Sequence, residues 1–260
     1  MKVRELMGLL EELCPLSYAC DWDNSGLQVG RLDAEVSRIM IALDLTDEVI
    51  TAAVNSGCGL ILTHHPLLFS PLRQVSGENI PGRYVLRLAE SGMACVSMHT
   101  NFDVAPGCMA DLAAKRLGLR DTVPVEPVGD GGIGKVGNLP EAMTLRAFCD
   151  RVKEAFCLPS IILYDKGEIN RPISRVGILP GSGKGEIGLA RALGAEVYVT
   201  GDMGHHPALD AMAEGLAVLD AGHYGLEWIF MEFMENYLRE RLPQEMEIRT
   251  APFQIPGRVI

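Results

Sequence analysis

The sequence predicts an α/β protein built as two similar α/β domains, each with a mixed sheet flanked by helices. Three observations predict it. Short apolar runs alternate along the chain with amphipathic stretches of helical period. The six histidines, His64, His65, His99, His205, His206 and His223, all lie just after such runs or in the loops that follow, where open α/β sheets keep their ligands. A weak internal echo links the halves. In the first, a run ending Thr63-His64-His65-Pro66 precedes a helix and a run ending at His99. In the second, Val199-Thr200-Gly201-Asp202-Met203-Gly204-His205-His206-Pro207 precedes a helix and a run leading to Asp220-Ala221-Gly222-His223.

Taken in order, Val3, Leu6, Met7, Leu9, Leu10 and Leu13 form the apolar stripe of a helix over residues 2–13. Residues 21–30 are turn-rich with two glycines; they read as a surface loop or as a wall of a binding site. A buried strand over 37–45 carries Asp44 at its C-terminal end. Thr46 caps a helix to Val54, and Gly57 stops it. Leu60-Ile61-Leu62 is a short buried strand, so 37–66 form one β-α-β unit. Neighbouring side chains on a strand face opposite ways, so His64 and His65 can serve one site only past the strand's end, where Pro66 helps to break the ladder. Residues 68–81 read as a loop, 82–90 as a helix, 93–98 as a strand and 108–117 as a helix.

Residues 120–140, with five glycines and three prolines, read as a domain junction or an edge hairpin. The expected domains are therefore 1–125, joined by the tail 243–260, and 126–242. In the second, Thr144 caps a helix to Phe156, strands cover 160–164 and 175–179, and a helix ends at Leu193. A strand over 196–200, a helix over 207–214 and a strand over 216–219 follow. One long helix over 222–241 and a last strand over 245–250 complete the chain.

A net charge of −11 argues against non-specific nucleic-acid binding, which needs phosphate neutralisation. The apolar runs are far shorter than a bilayer span, so no membrane association is expected. Seven cysteines without Cys-x-x-Cys, and an N-terminus that acquires acid at once, lead to the expectation of reduced thiols and a cytoplasmic address.

The chemistry concentrates in a few places. His223 and Glu227 share a face if helical. Together with His64, His65 and Asp103, all beyond strand ends, they could converge on two divalent ions, with one carboxylate bridging and positions left open for catalysis. Two ions about 3.5–4 Å apart can lower the pKa of a shared water. Imidazole and carboxylate suit Zn, Fe, Mn, Co or Ni. His99 reads as a support for that shell or a proton shuttle. His205 and His206 read as substrate contacts, metal ligands or helix-entry residues. Pro180-Gly181-Ser182-Gly183-Lys184-Gly185 fails as a P-loop: Ile178 stands where the first glycine belongs, and Gly185 where Ser or Thr belongs. It reads as a tight turn, or as a phosphate cradle with Lys184 as its charge.

The segments Trp22-Asp23-Asn24-Ser25-Gly26-Leu27-Gln28-Val29-Gly30, Ala42-Leu43-Asp44-Leu45-Thr46, Thr63-His64-His65-Pro66, His99-Thr100-Asn101-Phe102-Asp103, Val199-Thr200-Gly201-Asp202 and Asp220-Ala221-Gly222-His223-Tyr224-Gly225-Leu226-Glu227 resemble the Nif-three-like family. Its bacterial members are often labelled GTP cyclohydrolase I type 2 homologues. The resemblance implies two α/β domains with a dinuclear metal site in the cleft between them, and a toroidal homohexamer. It implies His64, His65, Asp103, His223 and Glu227 as ligands, Glu227 bridging, and a short form without the inserted domain of some members.

The expectation is a dinuclear-metal-dependent hydrolase acting on a nucleotide or related small molecule. His99 and His206 are candidates for proton transfer or substrate contact, and Lys184 and His205 for substrate binding. The alternative is a non-catalytic metal-binding assembly or regulatory protein.

Overall fold

A computed structural model describes residues 1–257; the end of the expected tail, 258–260, lies outside the described residues. The first elements are α1 (Val3–Leu13), β1 (Gly26–Val29), β2 (Arg38–Ala42), α2 (Asp47–Asn55), β3 (Leu60–Thr63), α3 (Ile80–Glu90), β4 (Ala94–Ser97), α4 (Thr100–Val104) and α5 (Met109–Arg116). Then come β5 (Arg120–Val128), β6 (Gly131–Thr144), α6 (Leu145–Ala155), β7 (Ile162–Tyr164), β8 (Pro172–Ile178), α7 (Ile187–Ala192) and β9 (Val197–Thr200). The last are α8 (His205–Ala213), β10 (Ala217–Asp220), α9 (His223–Glu227), α10 (Ile229–Arg241) and β11 (Glu247–Thr250). No helix among the described residues is long and apolar enough to cross a membrane.

The chain divides into two compact units: residues 1–102 with 230–253, and 103–229 with the segment from Gln254 onward. These are not the divisions at 125 and 242 that composition suggested. Of the two readings of the glycine- and proline-rich stretch, the edge hairpin is the one observed: it forms the paired antiparallel strands β5 and β6. Pro124 and Pro127 fit there because β5 is an edge strand, with one row of backbone groups outside the ladder.

The first unit holds a sheet ordered β1-β4-β3-β2-β11. β4, β3, β2 and β11 run parallel, and β1 is antiparallel to β4. Met40, Ile61 and Cys95 face Ile50 and Ala53 of α2 and Tyr84 and Leu88 of α3. All four residues of β3 and of β4 are buried, as strands covered on both faces must be. The Thr46 hydroxyl accepts from Val49 N and starts α2 as the sequence predicted. Within this unit Phe230 and Phe233 of α10 pack on Phe102 at ring separations of 5.0 and 5.6 Å. The Tyr237 hydroxyl donates to Leu9 O of α1.

The second unit holds a sheet ordered β5-β6-β8-β9-β10-β7, with β8, β9 and β10 parallel and the others antiparallel to their neighbours. Tyr198 and Val218 pack under Ile187 and Ala190 of α7 and Ala208 and Ala211 of α8. Both sheets are mixed and flanked by helices, as the sequence predicted. Three elements differ from expectation. β1 lies inside the turn-rich stretch, α4 follows His99 directly, and the expected helix over 222–241 is broken at Trp228 into α9 and α10.

Candidate metal centre

Register builds the first half of the site. Ala42 pairs with Thr63, and Thr63 with Ser97, in three parallel strands. The chain two residues beyond these ends therefore carries Asp44, His65 and His99 out on the same edge of the sheet. The turn after β3 is held tightly. The amides of His64 and His65 both donate to Leu43 O, at 3.2 and 3.0 Å, and the Thr63 hydroxyl donates to His65 O at 2.8 Å. His64 is fully buried, with Phe230 against its ring at 5.2 Å.

The imidazoles share one polarity. His64 Nδ1 lies 2.7 Å from Met98 O, an acceptor only, so Nδ1 is the donor and Nε2 is the nitrogen that can act as a ligand. His65 Nδ1 meets Asp44 Oδ1 at 2.7 Å, and His99 Nδ1 meets Asp23 Oδ1 at 2.7 Å. Carboxylate or carbonyl behind Nδ1 is how ligating imidazoles are commonly oriented. The ligand nitrogens of His64, His65 and His99 all lie within 4.8 Å of one another, so this unit alone has a histidine group able to hold a metal. Asp23 is the most elaborate of these supports. Burial pushes its carboxyl up, but hydrogen bonds from His99, Thr100 and Ser25 outweigh burial and hold it well below the usual carboxylate range.

In the second unit, His223 and Glu227 are the first and last residues of α9, and Nε2 lies 3.0 Å from Oε2. The i,i+4 spacing puts them on one face, as the sequence predicted. His223 Nδ1 meets Asp202 Oδ2 at 2.8 Å, two residues past the end of β9. Asp220 ties the adjoining loops by accepting from Met203 N and Gly222 N, both at 2.9 Å. Gly181 has φ +79°, and a Cβ there would lie 2.5 Å from Glu227 Oε1, so a side chain at 181 would displace the carboxylate. Asp103 is half-buried in α4.

The other candidates separate from this group. His205 and His206 are the exposed first residues of α8, with rings 5.2 Å apart. Among the described residues no metal-sized group includes them. Lys184 is exposed, but the Gly183 amide beside it donates to Thr200 Oγ1 at 2.9 Å. That turn spends its backbone donor inside the fold, which favours the tight-turn reading over the phosphate cradle. Sequence reasoning missed Asp23 and Asp202 as supports of histidines. For Asp202 the available signal was position: like Asp44, His65 and His99, it stands two residues past a strand's last residue, whereas Asp23 lies before β1 and carries no such mark.

The fold and these side chains define a mixed α/β protein with histidine groups able to hold a metal. A family model described as Duf34/NIF3 (NGG1p interacting factor 3) matches residues 1–256, and the chain belongs to that family. A Clostridium acetobutylicum protein named GTP cyclohydrolase 1 type 2 homolog is 34% identical over 254 residues, covering 96% of this chain and 94% of that one. A Streptococcus pneumoniae protein of the same name is 34% identical, covering 89% and 88%. Among solved structures, a Staphylococcus aureus hypothetical protein superposes with TM-score 0.90 at 28% identity, covering 100% and 99%. Reduced HcgD from Methanocaldococcus jannaschii superposes with TM-score 0.84 at 30% identity, covering 96% and 97%.

Proposed function

We propose that this chain is a dinuclear-metal-dependent hydrolase acting on a nucleotide or related small molecule. His64, His65, Asp103, His223 and Glu227 would hold two divalent ions (Zn, Fe, Mn, Co or Ni), Glu227 being the carboxylate that would be shared. The observation that carries this reading is the common orientation of His64, His65 and His223, each with Nδ1 engaged by a protein oxygen and Nε2 as its ligand atom. The name GTP cyclohydrolase 1 type 2 homolog, borne by relatives, supports the substrate class.

Bound divalent ions would supply an activated water and polarise the substrate. The chain's residues do the rest. Met98 O, Asp44 and Asp202 fix the ligand rings. His99, held through Nδ1 by Asp23, would exchange a proton at Nε2. His205 and His206, exposed at the start of α8, would contact the substrate, and Lys184 belongs to the tight turn. A ring-shaped homohexamer belongs to the same proposal, and light scattering tests it.

The experiment is a hydrolysis screen of metal-loaded protein against GTP, other nucleotides and phosphoesters, with Glu227→Gln as control. Metal-dependent turnover that falls at least 100-fold in the variant is the expected result. Tight metal binding without turnover on any substrate would favour the non-catalytic assembly or regulatory role instead.

A further inference from the structure

Beside the histidines of the first unit lies a pocket of about 590 Å³, within the range of small-molecule sites. Two of its walls are aromatic and turned to solvent: Trp22 is 59% exposed and Phe69 is 54% exposed. Their ring centroids lie 5.9 Å apart at 59°. Both also meet the His99 ring edge-on, at 6.0 and 6.3 Å. Leu72 and Val75 extend the apolar wall, and Val75 is itself 52% exposed.

The two loops that carry these rings are tied together by the pocket's own polar residues. Asn24 Nδ2 donates to Leu68 O at 2.7 Å, and Leu68 N donates to Gln28 Oε1 at 3.1 Å. Gln28 Nε2 donates back to Asn24 O at 2.5 Å. The chain thus spends side-chain amides on holding Trp22 and Phe69 in place, rather than burying the rings. Of the lining residues only Asp23 carries a formal charge, and its carboxylate is fully covered and committed to His99, Thr100 and Ser25. A pocket with exposed aromatic faces, whose one carboxylate is turned to His99, Thr100 and Ser25, suits a flat ring, because any heteroaromatic π-face stacks on such side chains. It does not suit a phosphate.

We propose that Trp22 and Phe69 form a stacking subsite for the planar heteroaromatic part of the ligand, with its edge beside His99. This rests on the hydrolase reading for the identity of the ligand, but not for the existence of the subsite. It divides recognition: the ring is taken by the aromatic pocket, and any phosphate is met elsewhere.

The test is equilibrium dialysis of labelled guanosine, with ribose 5-phosphate as the ring-less comparison, against metal-free full-length protein. Wild type, Trp22→Ala and Phe69→Ala are compared, each checked for thermal unfolding and for molar mass by light scattering. Saturable guanosine binding, no ribose 5-phosphate binding under the same conditions, and at least fivefold weakening in each variant at unchanged mass are expected. No guanosine binding to wild type, or equal binding in both variants, would overturn the subsite. So would a fall in molar mass in either variant, because the rings would then belong to a subunit contact. Both rings are largely exposed, so truncation should leave the unfolding temperature within a few degrees. Should Trp22→Ala fail to fold, Phe69→Ala and Trp22→Leu decide. Guanosine binding without hydrolysis of any nucleotide would sink the hydrolase reading and leave the subsite standing. Metal-dependent hydrolysis without guanosine binding would do the reverse.

Discussion

Asp44 and Asp23 each sit behind the Nδ1 of a histidine, and that placement fixes which nitrogen the ring offers. Replacing Asp44 with alanine removes the carboxylate that His65 Nδ1 meets. Its expected effect is a metal affinity lowered by about 10–100-fold, read by competition with a chelator, with little change in the unfolding midpoint. Asp23 has a second consequence, for stability. Its folded-state pKa is depressed, so its contribution is fully present above the ordinary carboxylate pKa of about 4. The contribution is lost as pH falls below that value towards the folded one. Urea unfolding between about pH 5 and pH 3 should show wild type losing stability more steeply than Asp23→Asn. Equal slopes would mean that the His99, Thr100 and Ser25 hydrogen bonds do not favour the charged form. The candidates His64, His65, Asp103 and His223 stood out in the sequence because they lie beyond apolar runs, and Glu227 because it follows His223 by four residues. Asp23 was not, because a carboxylate in a turn-rich segment looks the same whether it is solvated or holds a ring.

Parallel strands in register bring Asp44, His65 and His99 to one edge of the first sheet, and the turns that follow are kept short by backbone hydrogen bonds. The apolar runs made β2, β3, β4, β9 and β10 readable, and Thr46 and Thr144 announced their helices by capping. β1 stayed hidden because its four residues lie among turn formers. β5 and β6 were legible only as one of two readings, an edge hairpin or a domain junction, because glycine and proline suit both and the edge position of β5 cannot be seen in the sequence. Glycine at 181 gives an element-level prediction. Gly181→Ala meets a left-handed backbone and the Glu227 carboxylate together. It should cost about 1–3 kcal/mol in urea unfolding and also lower bound metal. Gly92→Ala at φ +64°, with open space around its Cβ, should cost about 1–2 kcal/mol and leave metal content unchanged. A Gly181→Ala protein with wild-type metal content would detach this turn from the site. In the core, Ile61→Ala removes a fully buried strand residue and should cost about 2–5 kcal/mol.

At the scale of the whole molecule, the proposed ligand set is His64, His65, Asp103, His223 and Glu227. The three histidines of the first unit, His64, His65 and His99, make a self-sufficient group that could hold a single ion without the second unit. The two arrangements differ in how the chain responds when a donor of the second unit is removed. The most direct measurement is metal stoichiometry by inductively coupled plasma mass spectrometry, after chelation and reloading, on wild type, His64→Ala and His223→Ala. The proposed centre requires two ions per chain in wild type and fewer than one in both variants, with folding preserved by circular dichroism. One ion per chain in wild type, kept in full by His223→Ala and lost in His64→Ala, would contradict it and place the metal on the histidines of the first unit alone.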